Sequence, residues 1–252
     1  PILSSPLAQE ILSEGYTPRT LDRVYASRPS AEMGLVGRVA DRMVLDLPVH
    51  LALRERLEAA VGEICAAAVL AARAGEPQFR VLSAPCGLAA ELCGVAKRLR
   101  DERPETFSRL RCWGVDRDPD GALLPEAARR ARQAGLNARF IREDLRRYRE
   151  VAAVVRENGP FHLVSCVGLA RGRSLEEIAE LVRFYAGVLA PGGTLLVDRW
   201  ESDSKDAFRI DMGRHGAAQF QAMLRNAGLT IEREHTTGEG GCVLLVARKT
   251  VQ

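Results

Sequence analysis

Asp116 closes the apolar run Cys112-Trp113-Gly114-Val115, and Asp144 comes three residues after Ile141 in a second such run. A carboxylate at the end of a strand offers several lone pairs to whatever lies beyond the sheet edge. At the end of the second strand of a nucleotide-binding fold, an acid accepts hydrogen bonds from ribose hydroxyls. Asp116 fits that role, with Arg117 beside it. Asp118 precedes Pro119, the order of a helix cap followed by proline at the first helical position. A third group is Ser83, Ala84, Pro85, Cys86 and Gly87, directly after a short apolar run. Small residues let a turn close tightly and let backbone approach a ligand. The first amides of the following helix then face an anion.

Other reactive residue types are less organised. The six cysteines form no C-x-x-C pair, and the four histidines do not complete a zinc pattern. No metal is expected. Most cysteines sit inside apolar runs, as small buried hydrophobes do, and a reducing compartment, the cytoplasm, suits them. His162, alone at a strand start, reads as structural. Arg171, Arg199, Trp200 and His215 follow strands and read as surface or capping residues, so no catalytic residue is assigned.

The elements that must position these groups follow from texture. Residues 57–72 carry apolar residues at helical spacing on an alanine-rich stretch, with Pro48 before it and Gly75 after. Residues 16–43 are broken by Pro18, Pro29 and Gly34 into short helices. From 77 onward short apolar runs alternate with amphipathic stretches. Strands are expected at 79–82, 110–115, 138–141, 161–167 and 194–197. Helices fall between them, the last at 208–227. Pro191-Gly192-Gly193 reads as a turn before the fifth strand. Strands at 229–237 and 242–249 are joined by only four residues, which permits a hairpin but no crossover. One arrangement sets the seventh strand antiparallel beside the fifth, with the sixth at the edge. The fold class is therefore α/β, a doubly wound, seven-stranded, mostly parallel sheet with an antiparallel last strand. Residues 1–76 form an N-terminal helical segment and 77–252 the sheet domain.

Bulk properties exclude several classes. The net charge of +3 does not suggest a dedicated nucleic-acid binder. Only three lysines stand among 36 basic residues, which reads as the codon bias of a GC-rich bacterial genome. No run reaches the roughly 20 apolar residues of a membrane span, and the first residues do not look like a secretory signal.

Taken in order, these segments resemble the class I, Rossmann-like methyltransferases that use S-adenosylmethionine. The turn at 83–88 resembles their first motif, though Ser83 stands where an acid is usual, and Pro85 and Ala89 where glycines are usual. Asp116-Arg117-Asp118-Pro119 resembles the second motif, and Asp144-Leu145 the third, whose acid and next backbone N–H take the adenine. Gly159 to Ala170 resembles the fourth strand and its exit, which places Cys166 and Gly168 by the methyl-transfer site. The resemblance implies S-adenosylmethionine as cofactor, held by Ser83, Ala84, Pro85, Gly87, Asp116, Arg117, Asp144, Leu145, Cys166 and Gly168. It further implies a small-molecule methyl acceptor, with the N-terminal helices as lid or homodimer contact and Tyr16 and Tyr25 lining the acceptor pocket. No Asn-Pro-Pro-aromatic tetrapeptide follows the fourth strand, unlike in amino-methylating nucleic-acid enzymes. The alternatives are an NAD(P)-dependent oxidoreductase, although its G-x-G-x-x-G is missing, a non-catalytic nucleotide-binding α/β module, and an RNA methyltransferase.

Overall fold

Polar caps and prolines start the first helices. Ser5 accepts from the Ala8 amide ahead of α1 (Pro6–Glu14), and Thr17 accepts from Thr20 ahead of α2 (Pro18–Tyr25). Next come α3 (Leu35–Leu45) and α4 (Pro48–Arg73), a 26-residue helix opened by Pro48. The computed structural model describes residues 4–29, 34–144, 147–170, 172–201, 215–238 and 241–251. Leu145, Arg171, the expected helix up to residue 214 and hairpin residues 239–240 lie outside the described residues.

The alternating part runs β1 (Phe79–Ser83), α5 (Ala90–Glu102), α6 (Pro104–Arg109), β2 (Leu110–Asp116), α7 (Leu123–Gln133) and β3 (Ala138–Arg142). It continues with α8 (Arg149–Asn158), β4 (Phe161–Cys166), α9 (Leu175–Val188), β5 (Leu189–Trp200), α10 (Ala217–Asn226), β6 (Leu229–Thr236) and β7 (Cys242–Lys249). The sheet order is β3-β2-β1-β4-β5-β7-β6. β1 to β5 pair in parallel, while β7 lies antiparallel between β5 and β6. The doubly wound sheet and the reversed strand expected from the four-residue link are both present.

Strand residues alternate between two cores, because successive side chains leave opposite faces of a sheet. Val81, Leu163, Leu196 and Leu244 pack under α4, α5 and α7. Leu82, Val164, Leu195 and Leu245 pack under α9 and α10. The second half of α4, from Ala60 to Ala68, belongs to the first of these cores. Its first half joins α1, α2 and α3 in a third cluster that also takes in Trp200 and Cys242. The composition changes at residue 76, but the core does not divide there. On α3, Leu35, Val36, Val39 and Met43 form an exposed apolar row. Among the described residues, no helix is long and apolar enough to cross a membrane.

Two local readings change. Pro191-Gly192-Gly193 is not a turn ahead of β5. Leu189 already pairs with Phe161, and Thr194 pairs with Leu163, so residues 190–193 bulge inside the strand against His162 alone. Gly193 is required there: a Cβ would lie 2.9 Å from the Ala190 carbonyl oxygen and 3.2 Å from that of His162. Pro119 does not open the next helix. α7 starts at Leu123, and buried Asp118 reaches forward to accept from the amides of Leu123 (2.8 Å) and Leu124 (3.3 Å). Asp118 is thus a cap, as its type suggests, acting across a longer turn.

Candidate functional site

The parallel register brings the carboxyl ends of β1, β2, β4 and β5 to one edge. Ser83 is level with Gly114 and Ser165, and Cys166 with Val197. Past this edge the connections diverge and leave a crevice, where doubly wound sheets bind their ligands. The helices α1, α2 and α4 roof it, producing a cleft of about 700 Å³.

One wall is the loop from β1 to α5. The Cys86 amide donates to the Val115 carbonyl and the Ala84 amide to that of Ser165, which ties the loop to β2 and β4. Gly87 takes φ +50°, and a Cβ there would come 3.7 Å from Pro18 at the start of α2. The Gly87 amide donates to Asp116 Oδ2 at 2.9 Å, and the Arg117 amide donates to Oδ1 at 2.8 Å. Each Asp116 oxygen keeps a lone pair for a hydroxyl donor. α5 starts at Ala90 without a side-chain cap, so no side chain covers its first amides.

Of the residues singled out in the sequence, Pro85, Gly87, Asp116, Arg117, Asp144 and Gly168 line this one cleft. Ser83, Ala84 and Cys166 lie beneath its surface, each almost fully buried. The Ser83 hydroxyl donates to Glu91 Oε1, so it is committed to the protein. Burial holds the Cys166 and Cys86 thiols well above their ordinary range, which leaves both protonated. Neither is an activated nucleophile. His162 accepts from the Arg80 amide at 2.9 Å, a structural bond. Arg199 and His215 do not line the cleft, whereas Trp200 does, at 2% exposure.

Three buried charged residues of the cleft were not legible as site residues. Glu91, in the first turn of α5, accepts from Ser83 and, at 2.9 Å, from Ser165. Burial raises its carboxyl above the ordinary range, against the pull of both hydroxyls and of Arg56. Arg56 on α4 and Asp198 on β5 form an ion pair of 2.6 Å, with side chains 3% and 1% exposed. Arg56 Nη2 also donates to the Tyr25 hydroxyl at 2.7 Å, and the Gly168 amide donates to Asp198 Oδ1 at 2.6 Å. Burial opposes the charge on Arg56, but the attraction of Tyr25 and Asp198 prevails and its pKa rises. A signal for these residues did exist. Arg56 falls on the apolar stripe Val49-Leu53-Ala60, and Asp198 interrupts an apolar strand. A charge in such a place needs a partner.

No protein-family model and no curated protein matches this sequence. Solved structures do match in shape. One is a Bordetella parapertussis protein described as a possible exported protein, with TM-score 0.72 and 21% identity over 99% of this chain and 85% of that one. Another is the magnesium protoporphyrin IX methyltransferase of Synechocystis PCC 6803 with bound S-adenosylmethionine, with TM-score 0.60 and 16% identity over 96% and 94%. A third is the Burkholderia thailandensis 1,6-didemethyltoxoflavin-N1-methyltransferase with bound S-adenosylhomocysteine, with TM-score 0.53 and 19% identity over 77% and 79%. The chain has the class I methyltransferase fold. Within that fold Gly87, Asp116, Asp144 and Gly168 stand at the carboxyl ends of successive strands around one crevice.

Proposed function

We propose that this chain is an S-adenosylmethionine-dependent methyltransferase acting on a small-molecule acceptor. The observation that carries the reading is Asp116. Its carboxylate fixes the Gly87 turn and faces the cleft at the end of β2 with lone pairs to spare. The cofactor would bring a methyl group activated on a sulfonium, so the protein's task is to bind and align. Asp116 accepts from the ribose hydroxyls, with Arg117 beside it. Asp144 takes the adenine amino group, and the next backbone N–H, that of Leu145, reaches the ring. Pro85 and Gly87 give the turn its close approach, above the buried Ser83 and Ala84, and the first amides of α5 meet the carboxylate. Gly168, next to Cys166, borders the transferred methyl. Among the described residues, nine acidic side chains and four arginines line the cleft, a balance that suits a cationic cofactor better than RNA.

Dinucleotide-binding sheets run 3-2-1-4-5-6. The antiparallel β7 between β5 and β6 departs from that order and weighs against the oxidoreductase reading. Six free cysteines fit the cytoplasm. Isothermal titration tests the cofactor. Saturable binding of S-adenosylmethionine is expected, with Asp116→Ala weakening it about tenfold or more, which is about 1.4 kcal/mol or above. No binding by the folded chain, or binding of NAD(H) instead, overturns the reading.

A further inference from the structure

The far half of the cleft is built differently from the half facing Asp116. Its body is apolar and aromatic, from Tyr16, Leu53, Leu57 and Trp200. Its polar floor is the chain Tyr25–Arg56–Asp198–Gly168. A buried Arg–Asp pair contributes little net stability, because desolvation offsets the attraction. Its presence at the cleft floor therefore calls for another reason. Asp198 is fully engaged, one oxygen on Arg56 and the other on the Gly168 amide. Arg56 is not: among the described residues only two of its five N–H groups have acceptors, and its buried Nε has none. The Tyr25 oxygen accepts from Arg56, and its own proton has no acceptor among the described residues. Burial, opposed by Arg56, keeps that hydroxyl protonated by raising its pKa. The floor thus presents hydrogen-bond donors in excess of acceptors, one of them charged.

We propose that Tyr25 and Arg56 seat an anionic oxygen, and that the methyl acceptor is an apolar or aromatic carboxylic acid, which leaves as its methyl ester. The proposal rests on the methyltransferase reading above. Charge-assisted bonds from a guanidinium to a carboxylate are stronger than neutral ones. Three acidic groups of the cleft are already engaged: Glu10 pairs with Arg23 at 2.6 Å, Asp198 with Arg56, and Glu91 takes two hydroxyls. The same engagements leave no ready base at the floor. A phenol, with a pKa of about 10, would need one, and a carboxylate would not. The step balances without a proton transfer. A lone pair of the carboxylate oxygen forms the bond to the methyl carbon, the carbon–sulfur bond breaks, and its electrons remain on sulfur as a neutral thioether.

The test uses the full chain, methyl-labelled S-adenosylmethionine and three pools of matched skeletons: aromatic and fatty carboxylic acids, phenols, and amines. Alkali releases methanol from methyl esters but not from methyl ethers or methylamines. Alkali-labile label is expected from the acid pool. Tyr25→Phe, which removes only the hydroxyl, should lower kcat/KM for the best acid at least tenfold and leave the Kd for S-adenosylmethionine within twofold. Arg56→Gln should lose activity further, but it strands Asp198 and can fail to fold, so Tyr25→Phe decides. Label from the phenols or amines alone, no label from any acid, or an unchanged Tyr25→Phe enzyme overturns the proposal. If the chain does not bind S-adenosylmethionine at all, the methyltransferase reading fails first and takes this one with it.

Discussion

Glu91 shows how one residue can be held at odds with its own chemistry. The residue is 8% exposed, and two hydroxyls are the only side-chain hydrogen-bond partners of its carboxyl group among the described residues. Burial raises its pKa, so the folded chain binds a proton more tightly than the unfolded chain, where a glutamate titrates near 4.3. The consequence for stability is opposite to that of a salt-bridged acid. Above about pH 4.3 the native state holds more protons than the unfolded state, so stability falls as pH rises. The contribution is complete below that value and is lost as pH climbs through the raised one. Glu91→Gln keeps the shape and removes the titration. Urea unfolding from pH 4 to pH 8 should show a shallower decline for the variant than for the parent chain. Parallel profiles would mean that Glu91 titrates normally. Ser83, at the same spot, explains why the sequence is hard to read here. An acid is expected at the strand end, and the carboxylate arrives instead from eight residues later, on the helix.

At the scale of elements, turns and caps determine where each strand delivers its last residue. Asp118 caps α7 from five residues upstream, and Asp118→Ala should cost about 1 kcal/mol. Gly193→Ala should cost about 1–3 kcal/mol, because the added Cβ meets two carbonyl oxygens and β5 cannot yield without breaking its pairing with β4. Thermal unfolding reads both, at about 2–4 °C per kcal/mol for a chain this long. An unchanged melting point in Gly193→Ala would show that the bulge adapts. Strand positions were legible because buried parallel strands are short apolar runs between breakers. The hairpin was legible because four residues cannot make a crossover. The bulge was not, since Pro-Gly-Gly reads the same in a turn as inside a strand. α6 was missed because the six residues from Pro104 to Arg109 give too little periodicity. In the cleft, motif order exposed Asp116, Asp144 and Gly87. Arg56 and Asp198 each carried a local signal, a charge among apolar neighbours, but their pairing spans 142 residues and no local pattern records that.

At the scale of the molecule, the N-terminal helices and the sheet act on the cleft from opposite sides. Pro18 at the head of α2 faces Gly87 in the loop after β1. Further along α2, Asp22 takes a forked pair from Arg130 on α7, and Arg19 reaches Glu126 at 3.1 Å. These contacts set the position of the head of α2 over the cofactor half of the cleft. Both ion pairs are partly exposed, so each contributes at most about 1 kcal/mol and weakens with salt. That is too little to lock the head of α2 and enough to bias it. Binding of S-adenosylmethionine should therefore slow hydrogen exchange at residues 6–25 more than in α10, none of whose residues lines the cleft. Arg130→Ala should weaken the affinity by up to about fivefold, with the effect shrinking in 0.5 M salt, and should hardly move the melting point. Uniform protection of the chain, or a variant with unaltered affinity at low salt, would show that α1 and α2 are a fixed wall. The two ends of α2 differ: Val24 is buried in the cluster with Trp200 and Cys242 and Tyr25 bonds Arg56, whereas Pro18, Arg19 and Asp22 meet the sheet domain through this loop and these two ion pairs, so the head of α2 is the part freest to respond when the cleft fills.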